Sequence, residues 1–519
     1  MYCHNLGLAF NKVVQEHGER IALKFIDSPS LTYEALDQLS NQVGRRLEAL
    51  SLKQPQMICI AGDKTPLTFA TMLAALKLGL PYVILDPEIP TDRLFKILTR
   101  CQPRAAILGE GLADQLRDFF KDQSVILLKS EEELSRCKIL SSEPLPNHAQ
   151  VEGATPAYVM FTSGSTGFPK GAVITHASVL NLIRWSQESF ELSPQDVLTN
   201  VNPLYFDNSV FDFYSALFTG AALAVIPKSL VATPKALVER LDQMGCTLWF
   251  STPSLLIYLT TMKVLDKNSL KGIRRFVFGG EGYPKPKLKQ LFDLYHPAGT
   301  RFFNVYGPTE CTCICSLYEL TQGDFDSSDL VGLPPIGALA KDFSFLLLND
   351  ERKPVGTDEP GELFLLGPNV GAGYLNAPEL TAKSFIQNPI HSSHTEIGYL
   401  TGDLLSLNSK DGKLYFVARK DNQIKHMGYR IELDEVELAL FALPYVSEAA
   451  VVHGSIRGIS QIVAAISLKE RVSDQQILVD LRQKLPSYMV PTRLLMKDVL
   501  PKNQNGKIDR VQIKKEIFG

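Results

Sequence analysis

The stretch from Tyr158 to His176, YVMFTSGSTGFPKGAVITH, constrains this chain more than any other. It opens on an apolar, β-prone run, Tyr158 to Phe161, and closes on a second, Ala172 to Thr175. Between them, Thr162 to Gly171 holds three glycines, two serines, two threonines, a proline and one lysine in ten residues. Glycine lets a backbone approach a ligand closely, and successive amides with hydroxyls make an anion-binding concavity. Lys170 adds a cation able to meet phosphate. The stretch reads as a phosphate loop between two strands. It is not of the GxxxxGK[ST] kind, because Gly171 rather than Ser or Thr follows the lysine and the exit is strand-like. A flexible Gly/Ser hairpin is the plain alternative.

At 519 residues the chain exceeds one ordinary core and is expected to divide into domains. Its 45% apolar and 21% charged residues are those of a soluble globular protein. A net charge of -3 supports neither a nucleic-acid surface nor a polybasic membrane patch. The most apolar run, Ala216 to Ile226, is broken by Thr219-Gly220 and is too short to span a bilayer. The N-terminus lacks a basic and then apolar leader, so a cytoplasmic location is expected. Eight cysteines in so long a chain make no disulfide scaffold. Three of them form Cys311-Thr312-Cys313-Ile314-Cys315, either a metal cluster or, on a strand, three small buried groups on one face.

Segments with helical spacing (10–17, 31–50 with Thr32 as cap, 67–78 stopping at Gly79) alternate with short apolar strands (57–61, 82–85, 105–108, 125–128). That alternation predicts a layered α/β fold. The polar 141–156 segment is expected to run over the surface. Beyond the loop come a helix from Val179, strands at 223–226, 248–251 and 275–279, and helices at 235–244 and 254–259. A more β-rich segment follows, with strands at 361–366 and 413–417, and the last hundred or so residues suit a small α+β domain.

Four further clusters look like ligand loops. Asn304 to Glu310, NVYGPTE, offers Tyr306 to stack on a base, Thr309 to bond phosphate and Glu310 to hold a hard cation such as Mg2+. Asp403, ending YLTGD, is able to accept from ribose hydroxyls. Gly279-Gly280-Glu281-Gly282 follows a strand with backbone suited to close approach. Asn505-Gly506 is a tight-turn signal that displays Lys507 at a loop tip. Each alone also suits an ordinary turn.

Together, in this order from LTYEALDQLSN at Leu31 to NGKIDR at Asn505, these motifs resemble the ANL superfamily of adenylate-forming enzymes, and within it the amino-acid adenylation domains of nonribosomal peptide synthesis. The resemblance implies a core over residues 1–420, layered α/β sheets plus a β-rich subdomain, and a small mobile α+β lid over 421–519 hinged at Asp421. Ala418 stands where the family more often has glycine. It implies that ATP and a carboxylic acid give an acyl-adenylate and pyrophosphate, and that the acyl group then passes to a thiol. Thr162, Ser163, Gly164, Ser165, Thr166, Gly167 and Lys170 would hold the β- and γ-phosphates. Gly280, Glu281, Gly282, Asn304 and Gly307 would line the nucleotide. Tyr306 would stack on adenine, Thr309 bond phosphate, Asp403 hold ribose, Arg419 support the nucleotide and Glu310 ligate Mg2+.

Lys507 would bridge the carboxylate and the α-phosphate, easing repulsion between anions as they meet, an electrostatic effect worth about 3–4 kcal/mol per lost donor in other sites. The same lysine would obstruct the thiol, so a lid that swings it away and presents QIKHMGYRIEL, with Lys425 and Gly428, resolves the conflict. Gly428 would let a phosphopantetheine arm pass. By the same resemblance Asp207 pairs with a substrate α-ammonium, which selects an amino acid over a plain fatty or aryl acid. The remaining pocket positions are Asn208, Phe211, Phe250, Val277, Gly279, Val305, Cys313 and Ile314. This apolar lining, with room above Gly279, suits a branched aliphatic side chain such as isoleucine or valine. A D-alanine or proline–carrier protein ligase and an acyl- or aryl-CoA ligase are the alternatives; a phosphate-loop hydrolase or nucleotide-binding regulator fits neither the strand after Lys170 nor the lid. The twelve residues after Lys507 are too few for a carrier domain, which leaves a stand-alone ligase serving a separate carrier protein or a piece of a larger synthetase.

Overall fold

The computed structural model describes residues 3–109, 112, 116, 126–146, 148–164, 167–325, 332–456, 459–502 and 508–519. These form two compact units, one of residues 1–87, 102–160 and 172–418, the other of 88–101, 161–171 and 419–519.

The first unit is built on layered sheets. In a six-stranded sheet, Ile58–Ala61 pairs in parallel with Tyr82–Leu85 on one side and Ala105–Leu108 on the other, and Pro156–Thr162 and Lys170–Thr175 end the order. Helix Pro66–Leu78 shows why the local signals were readable. Thr65 caps it through Thr68 N, proline starts it, and Gly79 ends it in the left-handed region at φ 67°.

The nine-stranded sheet carries Leu248–Ser251, Arg275–Gly279 and Arg301–Tyr306 side by side and parallel. Side chains alternate between its faces. Phe250, Val277, Phe303 and Val305 enter one core with Phe211, Cys313 and Ile314, while Trp249, Phe276, Phe278 and Phe302 enter another. Helix Asn208–Leu217 belongs to the first of these cores; its residues from Ser209 onward are all buried, so it lies inside the layer rather than on it. A five-stranded sheet of Ser344–Leu348, Gly361–Leu366, Phe385–Gln387, Ile397–Leu407 and Leu414–Arg419 completes the β-rich part.

Two expectations fail here. Cys311–Cys315 is not a strand: Thr309–Cys311 is a short 3-10 turn, and Thr312 and Cys313 have φ of 61° and 74°. The three thiols are buried but diverge, Cys313 into the pocket-side core and Cys311 and Cys315 into that of the β-rich sheet. Nor is the 141–156 segment wholly superficial. Leu145 and Val151 are buried, and Arg45 holds the carbonyls of Ser141, Glu143 and Pro144.

The second unit has its own core around Ile431, Val436, Leu440, Val451, Ile466 and Leu481. A sheet of Val446–Ile456, Ile459–Leu468 and Arg493–Met496 and a hairpin of Gln423–His426 and Tyr429–Glu432 frame it. Helix Thr91–Cys101, remote in sequence, packs against helix Asp474–Lys484. Its Arg93 forms an ion pair with Glu435, both side chains less than a tenth exposed. Among the described residues no helix is long and apolar enough to cross a membrane.

Candidate active site

Asp207 stands at the N-terminus of helix Asn208–Leu217 without capping it. The partial positive charge of a helix end favours a carboxylate there. Its Oδ2 accepts from the Thr309 hydroxyl at 2.5 Å, which joins the expected ammonium anchor to the expected phosphate ligand. Behind it lie the pocket residues, brought into one core by strand alternation: Phe211 and Phe250 meet edge to face at 4.8 Å, beside Val277, Val305, Cys313 and Ile314. Asn208 faces Gly280, its amide 3.8 Å from where a Cβ on that glycine would stand. The expected room above Gly279 is absent. A Cβ there would lie 2.5 Å from the Val305 carbonyl and 2.6 Å from Val305 Cγ2, because these strands pair directly at this position.

Of the residues expected to meet the nucleotide, Tyr306 and Asp403 meet each other. The Tyr306 hydroxyl donates to Asp403 Oδ2 at 2.5 Å, and both residues are buried. Burial, then the Asp403 charge, pushes the phenol well above its ordinary pKa. Asn304 is occupied structurally, donating to the Pro335 carbonyl at 2.8 Å. Gly307 admits no side chain, since a Cβ would meet the Cys313 carbonyl at 2.3 Å. Gly280 turns at φ 84° and Gly282 is overlaid by Leu333. Glu281 accepts from the Ser254 hydroxyl and from its amide at 3.2 Å, at the start of helix Pro253–Thr261.

Glu310 is fully buried and accepts from the Tyr374 hydroxyl at 2.7 Å, with Tyr399 beyond at 3.3 Å. A carboxylate such as Glu310 is the ligand type that Mg2+ takes, one or two of them completed by phosphate and water, so its chemistry fits that ion.

The phosphate loop belongs to the second unit, apart from Ser165 and Thr166, which lie outside the described residues. Gly164 tolerates no Cβ, which would fall 2.1 Å from the Phe168 carbonyl. Gly167 turns at φ 73° and bonds back to the Gly164 carbonyl at 2.8 Å. Ser163 Oγ donates to the Arg430 carbonyl (2.6 Å) and accepts from Glu432 N (3.2 Å), while Lys170 lies 3.5 Å from the Glu432 carboxylate. Burial raises the Glu432 pKa despite Lys170. The Thr162 hydroxyl is buried with no hydrogen-bond partner among the described residues.

Arg419 and Asp421 form a two-pronged pair, Nε to Oδ1 at 2.9 Å and Nη2 to Oδ2 at 2.7 Å. Burial works against the Asp421 charge, but the Arg419 bonds prevail and hold its carboxyl below the usual range. Lys425 is on the first strand of the 423–432 hairpin, and Gly428 with Met427 makes its two-residue turn at φ 88° and 52°. Lys507 lies outside the described residues.

Several residues escaped sequence reasoning. Tyr374, which reaches Glu310, lies in no ligand-like motif. Tyr158, at the head of the loop, has a buried hydroxyl with no partner, and its pKa is pushed well up by burial, then by Cys313, Tyr82 and Asp207. Asp212, one and a half turns along from Asp207, accepts from Asn200 and Asn202, each at 3.0 Å. Asn202 also donates to the Phe250 carbonyl at 3.1 Å, so this group fixes the helix against the pocket strand. Burial pushes the Asp212 carboxyl up and pulls nearby Lys64 down. Lys64 donates to the Asn200 carbonyl at 2.5 Å. In sequence these were unremarkable polar residues on a strand end, a loop and an aromatic helix.

The profile of the AMP-binding enzyme family matches residues 10–375, and that of the AMP-binding enzyme C-terminal domain matches 435–507. A dimodular nonribosomal peptide synthase of Bacillus subtilis (strain 168) is 34% identical over 493 residues, 95% of this chain, which spans only 20% of the length of that synthase. A D-alanine--D-alanyl carrier protein ligase of Bacillus licheniformis is 30% identical over 498 residues, 95% of each chain. The solved structure of NpsA-ThdA, an artificially fused adenylation–PCP di-domain NRPS from Klebsiella oxytoca, superposes with a TM-score of 0.81 over 95% of this chain and 94% of that one. At 23% identity that likeness speaks for the fold.

Proposed function

We propose that this chain, which belongs to the AMP-binding enzyme family, activates an α-amino acid with ATP and Mg2+ to the aminoacyl-adenylate and passes the aminoacyl group to the phosphopantetheine thiol of a carrier protein. The observation that carries this reading is the placing of Asp207, a carboxylate at a helix start, bonded to Thr309 and backed by the apolar cluster of Phe211, Phe250, Val277, Val305 and Ile314. A fixed anion beside an apolar cluster is the chemistry that recognises a zwitterion. The apolar lining favours an aliphatic side chain. Val305 over Gly279 supports a second reading, a substrate no larger than valine, D-alanine and proline included. Tyr306, Asp403 and Arg419 take the nucleoside, the 162–170 loop the phosphates, and Lys507 the reacting carboxylate. Lys425 and Gly428 face the thiol arm when the lid turns at Asp421.

Exchange of labelled pyrophosphate into ATP, screened over amino acids, tests this. An aliphatic α-amino acid should support exchange and its des-amino analogue should not. Equal exchange with valine and isovalerate overturns the role of Asp207. Asp207→Ala should cut kcat/KM for the amino acid by roughly 100-fold, as loss of the charge partner of a bound ammonium costs about 3 kcal/mol. Lys507→Ala should abolish exchange yet spare transfer from preformed adenylate; normal exchange by that variant removes Lys507 from the chemistry.

A further inference from the structure

Between strand Phe385–Gln387 and strand Ile397–Leu407 the chain reads Asn388-Pro389-Ile390-His391-Ser392-Ser393-His394-Thr395-Glu396. One ring nitrogen of His391, one of His394 and one carboxylate oxygen of Glu396 all lie within 4.8 Å of one another. We propose that His391, His394 and Glu396 form a Zn2+ site that clasps this loop, separate from the nucleotide and amino-acid sites and independent of the function proposed above.

The donor set comes first. Two imidazoles and a carboxylate suit zinc and its borderline neighbours; Mg2+ and Ca2+ prefer all-oxygen shells. Three protein ligands leave a fourth tetrahedral position for water. His391 and Glu396 have side chains about a third exposed, so an ion can enter from solvent.

The loop is also held in the shape that such a site needs. Gln387 contacts all three ligand residues. Its Nε2 donates to the His391 carbonyl (3.3 Å) and the His394 carbonyl (3.1 Å), and its Oε1 accepts from Glu396 N (3.0 Å). Asn388 donates to Glu396 Oε2 at 2.6 Å, fixing the carboxylate. The two rings stack at 4.5 Å with 29° between their planes, and the Ser393 hydroxyl lies 3.4 Å and 3.1 Å from their Nδ1 atoms. Partners of this kind, which orient the ligands from behind, are usual around bound metals.

His391 Nε2 and Glu396 Oε2 now share a hydrogen bond of 2.7 Å. Zinc bonds of about 2.0–2.1 Å place neighbouring ligand atoms about 3.3 Å apart, so binding widens this gap by roughly 0.6 Å. The proton between the two atoms leaves, to solvent from an imidazolium or to Nδ1 of the neutral ring, where Ser393 accepts it. Zinc takes its place. The strand that follows carries Tyr399 and Asp403, so a closed clasp steadies the segment that delivers both.

Calorimetric titration of the metal-stripped full-length chain with ZnCl2, and separately with MgCl2, tests the site. One zinc per chain is expected, with a Kd of the order of micromolar. His391→Ala/His394→Ala and, separately, Glu396→Gln should each weaken it by about tenfold or more. Zinc should raise the thermal midpoint of the wild type and leave that of the double variant unchanged. Should the double variant misfold, Glu396→Gln keeps the side-chain shape and carries the comparison alone. Magnesium heats should be the same in all three proteins. Unchanged zinc affinity and stoichiometry in a folded variant mean an adventitious ion only and overturn the proposal, as does no uptake by the wild type at about 100 µM zinc.

Discussion

Tyr306, Asp403 and Glu310 could be singled out as candidates from sequence because each sits in a short motif with turn residues, and Asp207 because the family resemblance marks it. Their partners could not. Tyr374 and Asp212 acquire meaning only when strands and helices from distant segments meet, and no local pattern encodes that meeting. The Tyr306 hydroxyl separates two uses of one side chain. Tyr306→Phe keeps the ring that would stack on adenine and removes the donor to buried Asp403. A buried carboxylate left short of a donor costs about 1–3 kcal/mol, so the KM for ATP should rise roughly tenfold while that for the amino acid stays put. An unchanged KM for ATP would mean that the ring alone matters.

His176 gives a pH prediction. It is fully buried, its Nδ1 accepts from Leu6 N at 3.1 Å, its Nε2 has no partner, and burial carries its pKa down to about 3. The unfolded chain, with an ordinary histidine near 6.5, then binds more protons than the folded one between those values. Stability is therefore full above pH 6.5 and falls as pH drops toward 3, by about 1.4 kcal/mol per unit. From pH 6.5 to 4.5 the wild type should lose about 2–3 kcal/mol more than His176→Asn in urea titrations. Parallel loss in the two proteins would rule out this histidine as the source.

At the level of elements, strands and helices with clear caps were legible: helix Pro66–Leu78 and strand Lys170–Thr175 fall where spacing puts them. Cys311–Cys315 misled because alternation of small residues suits a strand, whereas two consecutive left-handed residues break the chain there. Such conformations are held by surrounding packing, which sequence does not display. Gly428, which the resemblance assigns to the passage of a pantetheine arm, stands at the turn of the 423–432 hairpin. Alanine at its φ of 88° costs about 1–2 kcal/mol and distorts the hairpin tip. Gly428→Ala should slow transfer to the carrier thiol by about tenfold and leave pyrophosphate exchange within about twofold. Equal losses in the two half-reactions would make the glycine a folding residue only.

For the whole molecule, a boundary near 420 treats the lid as one continuous piece of sequence, yet the compact unit that contains it also takes in residues 88–101 and the loop 161–171. Nothing local in TDRLFKILTRC ties it to a helix nearly four hundred residues later; only packing does. A second tie is the ion pair of Arg93 with Glu435 on helix Leu433–Phe441, whose side chains are 7% and 6% exposed. A charge so buried is tolerable while paired and costly alone. Arg93→Ala strands the Glu435 carboxylate and should destabilise this unit by about 3–5 kcal/mol, whereas Arg93→Ala with Glu435→Leu, which removes both charges, should recover most of it. Limited proteolysis across residues 419–519 reads the difference directly: cleavage should be rapid in the single variant and near wild-type in the double one. Equal susceptibility of the two variants would mean that the packing of helix Thr91–Cys101, and not its charge, holds the unit together.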